Sequence, residues 1–160
     1  MEKQTGNTIY STFANTAERR KHNTAVIYLG TRFSYQEVRD MAGRFASALT
    51  DMGLSAGQKV IIYIPNSIQW VAAWLGIQKM GGICVPITPI YTPHDLTYIA
   101  NDSGAEAIVC ADTNFGYVTR VMSQTQLKKV IVCKMADLLP RWKRTFGYLF
   151  DVIPRGKIIL

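Results

Sequence analysis

The feature that most constrains the fold is an alternation of apolar runs with helical patterns over residues 59–133. Four runs are typical of strands buried on both faces, because they are rich in β-branched residues and lack polar alternation: KVIIYIP, ICVPI, EAIVCA and KKVIVC. Strands that alternate with helices predict right-handed crossovers and a parallel sheet. We therefore expect an α/β fold, with a Rossmann-like parallel sheet and helices on both faces.

The helix between the first two strands has an unusual pattern. Its sequence, SIQWVAAWLGIQKM, is apolar nearly all round, and Asn66 with Gln69 has the spacing of a capping pair. A helix without a polar face must be buried. We expect it to lie between two layers and to end at Gly81.

A hairpin and an amphipathic helix are predicted ahead of this unit. Residues 25–28 and 32–33 are β-prone and pivot on Gly30, and Ser34 with Glu37 forms a capping box that begins a helix. Further along, Thr92 with Asp95 predicts a second capping box, and Asp112 or Thr113 is expected to cap a later helix.

Composition favours a globular chain without metal or disulfides. Of 160 residues, 48% are hydrophobic, yet we find no apolar run long enough to span a membrane and no leader of signal-peptide type. A cytoplasmic location is therefore expected. Cys84, Cys110 and Cys133 each occur singly in apolar runs, which favours buried thiols, and the spacing of His22 and His94 predicts no metal site.

The positive charge is concentrated in the last 33 residues. Up to Leu127 ten Lys and Arg face nine acids, whereas from Lys128 onward eight face two. We divide the chain into an α/β unit, residues 1–133, and a basic amphipathic segment, residues 134–160. Basic residues among aromatics permit nucleic-acid binding, but no recognised motif accompanies them, so no nucleic-acid partner is expected.

A helix over residues 137–151 would gather an apolar face, although Pro140 also permits the helix to start only there. That face packs on the parent protein or contacts an anionic membrane. The residues expected to touch a membrane are Arg141, Trp142, Lys143, Arg144 and Phe146.

Motifs for phosphate or covalent chemistry are missing. The junction after the first strand, residues 64–67, has no glycine for close approach to a pyrophosphate, and neither a P-loop nor a G-x-S-x-G elbow occurs. We assign no catalytic residue.

Several segments in order resemble the adenylate-forming, or AMP-binding, family and its acyl-CoA synthetases. They cover about residues 31–132 and comprise RFSYQEV at 32–38, MGL at 52–54, GQKV at 57–60, IPNS at 64–67 and GIQKMGGICVPITP at 76–89. The resemblance implies the N-terminal subdomain of the adenylate-forming ligase fold. The basic segment also resembles an insertion seen in long-chain fatty-acid–CoA ligases, which implies fatty acyl substrates.

In such enzymes a carboxylate and Mg·ATP give an acyl-adenylate, and the CoA thiol then displaces AMP. The resemblance implies that the partners are a fatty acid, ATP and CoA, bound through sequence downstream of residue 160. The family's phosphate loop and catalytic lysine are absent here. This chain alone is therefore expected to be inactive and to bind no cofactor.

The resemblance also implies one substrate-binding site. In several family ligases the loop after the second proline lines the CoA entrance, which corresponds here to Pro89, Ile90 and Tyr91. Two departures stand out. Thr88 replaces the usual Asn or Asp, and Ile90 stands where a basic side chain can meet CoA phosphate.

Two further expectations concern assembly. An incomplete core with an all-apolar helix would expose a large patch, which predicts a homodimer or poor solubility. The alternative to a ligase fragment is a free-standing α/β binding module, attached to a membrane by its basic tail.

Overall fold

The computed structural model describes residues 8–140 together with Trp142 and Thr145. Two short 3-10 turns, Asp112–Asn114 and Met122–Gln124, flank the last helix. The helices and strands of this part of the chain are, in order, α1 Ile9–Arg19, β1 Thr24–Tyr28, β2 Thr31–Ser34, α2 Tyr35–Asp51, β3 Lys59–Tyr63, α3 Ile68–Met80, β4 Ile83–Pro86, α4 Pro93–Ser103, β5 Ala107–Ala111, α5 Phe115–Val121 and β6 Lys129–Cys133.

Strands β3 to β6 form one parallel sheet in the order β4-β3-β5-β6. Ile61 on β3 lies opposite Val85 on one side and Ile108 on the other. Strands β1 and β2 form a separate antiparallel hairpin. The predicted parallel sheet is confirmed, and each of the four apolar runs forms one of its strands.

Side chains of β3 alternate between the two faces of the sheet. Val60 and Ile62 belong to a buried cluster with Ala73 of α3, whereas Ile61 and Tyr63 belong to another cluster with residues of α4 and α5. Both faces are therefore apolar and both are covered, which confirms that helices lie on both faces.

On the first face α3 lies between the sheet and α2. Ala73 packs in the cluster that faces the sheet, while Leu75 packs with Val38 and Ala42 of α2. At Gly76 the two helices are so close that an added Cβ would lie 2.9 Å from the Ala42 carbonyl oxygen. Burial of α3 between two layers is confirmed. The prediction that this helix leaves an exposed patch is wrong, because α2 covers it.

The second face carries a single layer formed by α4 and α5. Leu96 and Ala100 of α4 and Phe115 and Val118 of α5 are buried against the sheet. The outward side chain of Tyr98 is 69% exposed.

The two predicted capping boxes are confirmed. Glu37 Oε2 accepts from the Ser34 backbone N–H at 2.7 Å, and Asp95 Oδ2 accepts from the Thr92 backbone N–H at 2.9 Å. Each box therefore satisfies backbone donors that the first turn of its helix would otherwise leave unpaired.

Two predicted caps are wrong. Ser67, not Asn66, caps α3, with its hydroxyl oxygen accepting from the Trp70 N–H at 3.1 Å. Neither Asp112 nor Thr113 caps α5, because both residues lie in the 3-10 turn that precedes it. At α3 the Ser67 hydroxyl therefore takes the capping role that was predicted for the Asn66 amide.

Helix α1 was not predicted. Thr8 caps it, accepting from the Ser11 N–H at 3.0 Å, and Ala17 is its buried residue. Tyr10 and Phe13 pack against the cluster between α2 and α3. The helix thus adds an outer strip to the double layer.

After β6 the chain forms a turn over residues 135–138, so a helix starting at Asp137 is wrong. Trp142 and Thr145 are helical, whereas Pro140 is not. Arg141, Lys143, Arg144 and Phe146 lie outside the described residues. Within the described part, no helix has the length and apolar character needed to cross a membrane.

Candidate functional site

The loops that follow β3, β4 and β5 meet at the carboxyl edge of the sheet. They comprise residues 64–67, 87–91 and 112–114. The chain leaves β3 towards β4 but leaves β5 towards β6, so the connections diverge between the two central strands. In open α/β sheets such a divergence leaves a crevice in which ligands bind.

The loop after β4 is held by side chains from the two neighbouring strands. The Tyr63 hydroxyl donates to the Tyr91 carbonyl oxygen, and Asn114 Nδ2 donates to the Pro89 carbonyl oxygen at 2.8 Å. Inside the loop, the Tyr91 N–H donates to the Thr88 carbonyl at 3.2 Å. The structure therefore brings Pro89, Ile90 and Tyr91 together in one anchored turn.

The anchored turn presents an apolar tip. Ile90 is 83% exposed and Tyr91 is 38% exposed. Since no charge lies on this tip, Ile90 can offer a partner apolar contact but no ionic bond.

Burial reinforces the neutral form that the anchoring phenol already has at physiological pH. It raises the pKa of Tyr63 above its ordinary value, while a hydrogen bond with Asn114 acts in the opposite direction. A neutral phenol keeps its proton, so Tyr63 remains a donor to the turn at physiological pH.

A cavity of about 430 Å3 lies beside the anchored turn. It lies where the chain leaves β3 and β4, and its lining residues include Asn66, Trp70, Thr88 and Pro89. Its size suits a small organic group, and Asn66 and Thr88 give it polar side chains.

A second cavity, of about 360 Å3, lies between α2, α3 and the segment after β6. Gln69 lines it and is buried, with Nε2 donating to the carbonyl oxygens of Lys134 and Met135 at 3.1 and 3.0 Å. This amide links α3 to the tail and does not pair with Asn66 as predicted.

The described residues contain no group of three or more His, Cys, Asp or Glu that could hold a metal ion. The three cysteines are free thiols, and burial raises the pKa of Cys84 and Cys110 to about 12 and of Cys133 to about 11. Thiols with such pKa values are poor nucleophiles at neutral pH.

Comparison with known proteins decides the family. The sequence signature described as "AMP-binding enzyme" matches residues 13–146. This chain belongs to the AMP-binding enzyme family. Among curated relatives, it is 33% identical over 150 residues to the long-chain-fatty-acid–CoA ligase of Yersinia pestis and 27% identical over 133 residues to that of Bacillus subtilis.

The match covers most of this chain and a small part of its AMP-binding relatives. It includes 89% of this chain and 26% of the Yersinia pestis protein, and 83% and 24% in the Bacillus subtilis case. The chain therefore spans about a quarter of the length of these relatives.

Solved AMP-binding enzymes share the fold. A benzoate CoA ligase from Burkholderia xenovorans superposes with a TM-score of 0.76 at 23% identity, covering 94% of this chain and 29% of that one. A long-chain-fatty-acid-CoA ligase from Archaeoglobus fulgidus gives 0.74 at 21%, covering 94% and 31%. The fold is that of the N-terminal subdomain of adenylate-forming ligases, as predicted.

Sequence reasoning found the turn at residues 89–91 but missed Tyr63 and Asn114, which anchor it. Tyr63 carries the sole hydroxyl of the KVIIYIP run, a signal that its tip needs a partner. Asn114 gave no comparable signal, since its acceptor lies 25 residues earlier in the chain.

Proposed function

We propose that this chain is the N-terminal part of a fatty-acid–CoA ligase. The observation that carries the proposal is the 33% identity over 89% of the chain to a long-chain-fatty-acid–CoA ligase. In this reaction a carboxylate oxygen attacks the α-phosphorus of ATP and pyrophosphate leaves. The CoA thiol then attacks the acyl carbon, and AMP leaves.

We propose that the ATP and Mg sites lie outside these 160 residues. Residues 64–67 form no glycine-rich phosphate loop, and the described residues offer no carboxylate cluster for Mg. The residues present do not fit these groups, so no step of phosphate chemistry is derived from them. We propose that the 160-residue chain alone is inactive and binds neither ATP nor Mg.

An exchange assay tests the activity. The product of the complete reading frame is incubated with ATP, labelled pyrophosphate and a long-chain fatty acid, beside the 160-residue chain as control. We expect acid-dependent exchange and acyl-CoA formation for the complete product and neither for the control. A reading frame that stops at Leu160, or exchange by the short chain, would contradict the proposal.

We also propose that the turn at Pro89, Ile90 and Tyr91 lines the CoA entrance. Its support is the anchoring by Tyr63 and Asn114 and the exposure of Ile90. A fixed apolar tip would guide the uncharged part of CoA without an ionic contact.

A charge reversal at the tip tests the CoA entrance. In the complete ligase, Ile90→Asp should raise KM for CoA about fivefold, because a carboxylate repels the CoA phosphates, while pyrophosphate exchange stays unchanged. Tyr98→Asp adds the same charge on α4 and should leave both parameters unaltered. An unchanged KM for CoA in Ile90→Asp would remove the turn from the entrance.

For the tail we propose attachment to an anionic membrane surface at the cytoplasmic side, through Arg141, Trp142, Lys143, Arg144 and Phe146. The exposure of Trp142, at 62%, supports it.

We also propose that the chain divides at residue 133 into the α/β unit and the basic segment, and that it forms a homodimer. Self-association measured by sedimentation tests the homodimer.

A further inference from the structure

The nucleotide end of CoA carries phosphate groups, and the anchored turn offers them no cation. Ile90 is 83% exposed, and neither Pro89 nor Tyr91 has a charged side chain. Proteins bind phosphate with arginine, lysine and backbone N–H groups. A cation on an element beside the turn would therefore complete an entrance for CoA.

Helix α5 is tied to the anchored turn at its first residues. Asn114, which directly precedes the helix, donates from Nδ2 to the Pro89 carbonyl oxygen at 2.8 Å. Burial is the main cause of the raised pKa of Tyr63, and Tyr117 adds to it electrostatically, so the two phenols are near each other. Since Tyr63 donates to the Tyr91 carbonyl oxygen, the start of α5 and the turn form one connected unit.

Arg120 adds a cation to this unit. Its guanidinium carbon lies 5.9 Å from the centroid of the Tyr117 ring, so the side chain turns back towards the start of α5. Side chains of a helix tilt towards its N-terminus, and the N-terminus of α5 follows the carboxyl end of β5, at the edge of the sheet where the turn lies. Both residues are exposed, Tyr117 by 41%.

The charge of Arg120 is available to a ligand. Arg120 takes part in none of the ion pairs found between residues 8 and 140, whereas Arg39 pairs with Glu18. The carboxylate of Asp95, on the neighbouring helix α4, accepts from the backbone N–H and the hydroxyl of Thr92. A guanidinium beside an exposed aromatic ring suits a phosphorylated nucleotide, because the cation pairs with phosphate and the ring stacks on a base.

We propose that Arg120 binds a phosphate at the nucleotide end of CoA, with the exposed ring of Tyr117 beside the adenine. The inference rests on the CoA entrance proposed for the turn and adds α5 to it. In this arrangement the apolar tip at Ile90 guides the uncharged arm of CoA, and α5 supplies the cation that the turn lacks.

Removal of the cation tests this inference in the complete ligase. Arg120→Gln should raise KM for CoA about tenfold, because a charge-assisted contact with phosphate is lost. Pantetheine has the same thiol arm without phosphate or nucleotide and serves as a second acyl acceptor. Its kcat/KM should be the same for Arg120→Gln and the parent enzyme. Tyr117→Leu should raise KM for CoA about threefold, again without an effect on pantetheine.

A matched control is Arg32→Gln, because Arg32 is an exposed arginine on the separate hairpin and forms none of the ion pairs found between residues 8 and 140. It should alter the kinetics with neither acceptor. An unchanged KM for CoA in Arg120→Gln, or equal losses with CoA and pantetheine, would overturn the role of Arg120. If Ile90→Asp still raises KM for CoA in that case, the entrance at the turn stands. If neither variant changes KM for CoA, both proposals fail.

Discussion

On one face of the sheet α3 is covered in turn by α2, whereas on the other face α4 and α5 form a single layer that water reaches. The outward residue Leu75 of α3 is 3% exposed, while the outward residue Tyr98 of α4 is 69% exposed. The difference shows that a helix without a polar side indicates a second covering layer. The pattern of apolar residues therefore predicts how deeply a helix is buried as well as where the helix lies.

The largest expected change in the free energy of unfolding comes from replacing a residue of α3 that points away from the sheet. Leu75→Asp should destabilise the chain by about 4 kcal/mol or more, since it removes a buried side chain and buries a carboxylate. Tyr98→Asp, at a position that also points outward, should stay within about 0.5 kcal/mol. Urea unfolding measures both, and equal effects would mean that α2 does not cover α3.

A pair of glycines sharpens the same comparison. At Gly76 an added Cβ would lie 2.8 Å from Phe45 Cδ1 and 2.9 Å from the Ala42 carbonyl oxygen, whereas at Gly116 of α5 it would meet nothing within 4 Å. Gly76→Ala should destabilise by about 2 kcal/mol through overpacking. Gly116→Ala should stabilise by about 0.7 kcal/mol through helix propensity. Shifts of the same sign in thermal unfolding would contradict the close approach of α2 and α3.

The two capping boxes and the parallel sheet could be predicted from the sequence, whereas the strand order and the partners of individual polar side chains could not. The capping boxes at Ser34 and Thr92 depend on residues three positions apart, and both were found. The strand order could not be predicted, because β5 pairs with β3 rather than with the preceding strand β4. Gln69 was misassigned as a capping partner for a similar reason, since its acceptors lie 65 and 66 residues away.

The same limit applies to the candidate site. The sequence resemblance located the turn at residues 89–91, but its anchoring depends on contacts between separate strands. Helix α1 was missed because much of its sequence is polar and its few apolar contacts are made with α2 and α3. Packing against distant elements, and not propensity, stabilises such a helix.

The two capping boxes should behave alike, although their helices lie on opposite faces. Ser34→Ala should destabilise by about 1 kcal/mol, and Thr92→Ala should act in the same direction to a similar extent. Equilibrium unfolding of both variants measures this. A loss confined to Ser34→Ala would mean that the double layer, not the local hydrogen bonds, sets the effect.

The smallest expected effect is on how the free energy of unfolding decreases at acidic pH. Hydrogen bonds from Ser34 lower the pKa of Glu37 below 4.5, first through the backbone N–H and then through the hydroxyl. A lowered folded-state pKa gives stability that is complete above the unfolded value and is lost as pH falls through the folded value.

Glu37→Gln keeps the capping geometry without a titrating group. Its unfolding midpoint should therefore fall less steeply than that of the parent as the pH is lowered through and below the ordinary pKa of a glutamate carboxyl. Parallel acid limbs for the two proteins would remove Glu37 as a source of pH dependence.

The central claim is that residues 59–133 form the parallel sheet of an AMP-binding enzyme, with β3 between β4 and β5. Nuclear Overhauser contacts between backbone protons of neighbouring strands test it most directly. The strand order predicts contacts from β3 to both neighbours in parallel register, including the pairs Ile61 with Val85 and Ile61 with Ile108. An antiparallel pattern, or β3 at an edge of the sheet, would contradict it.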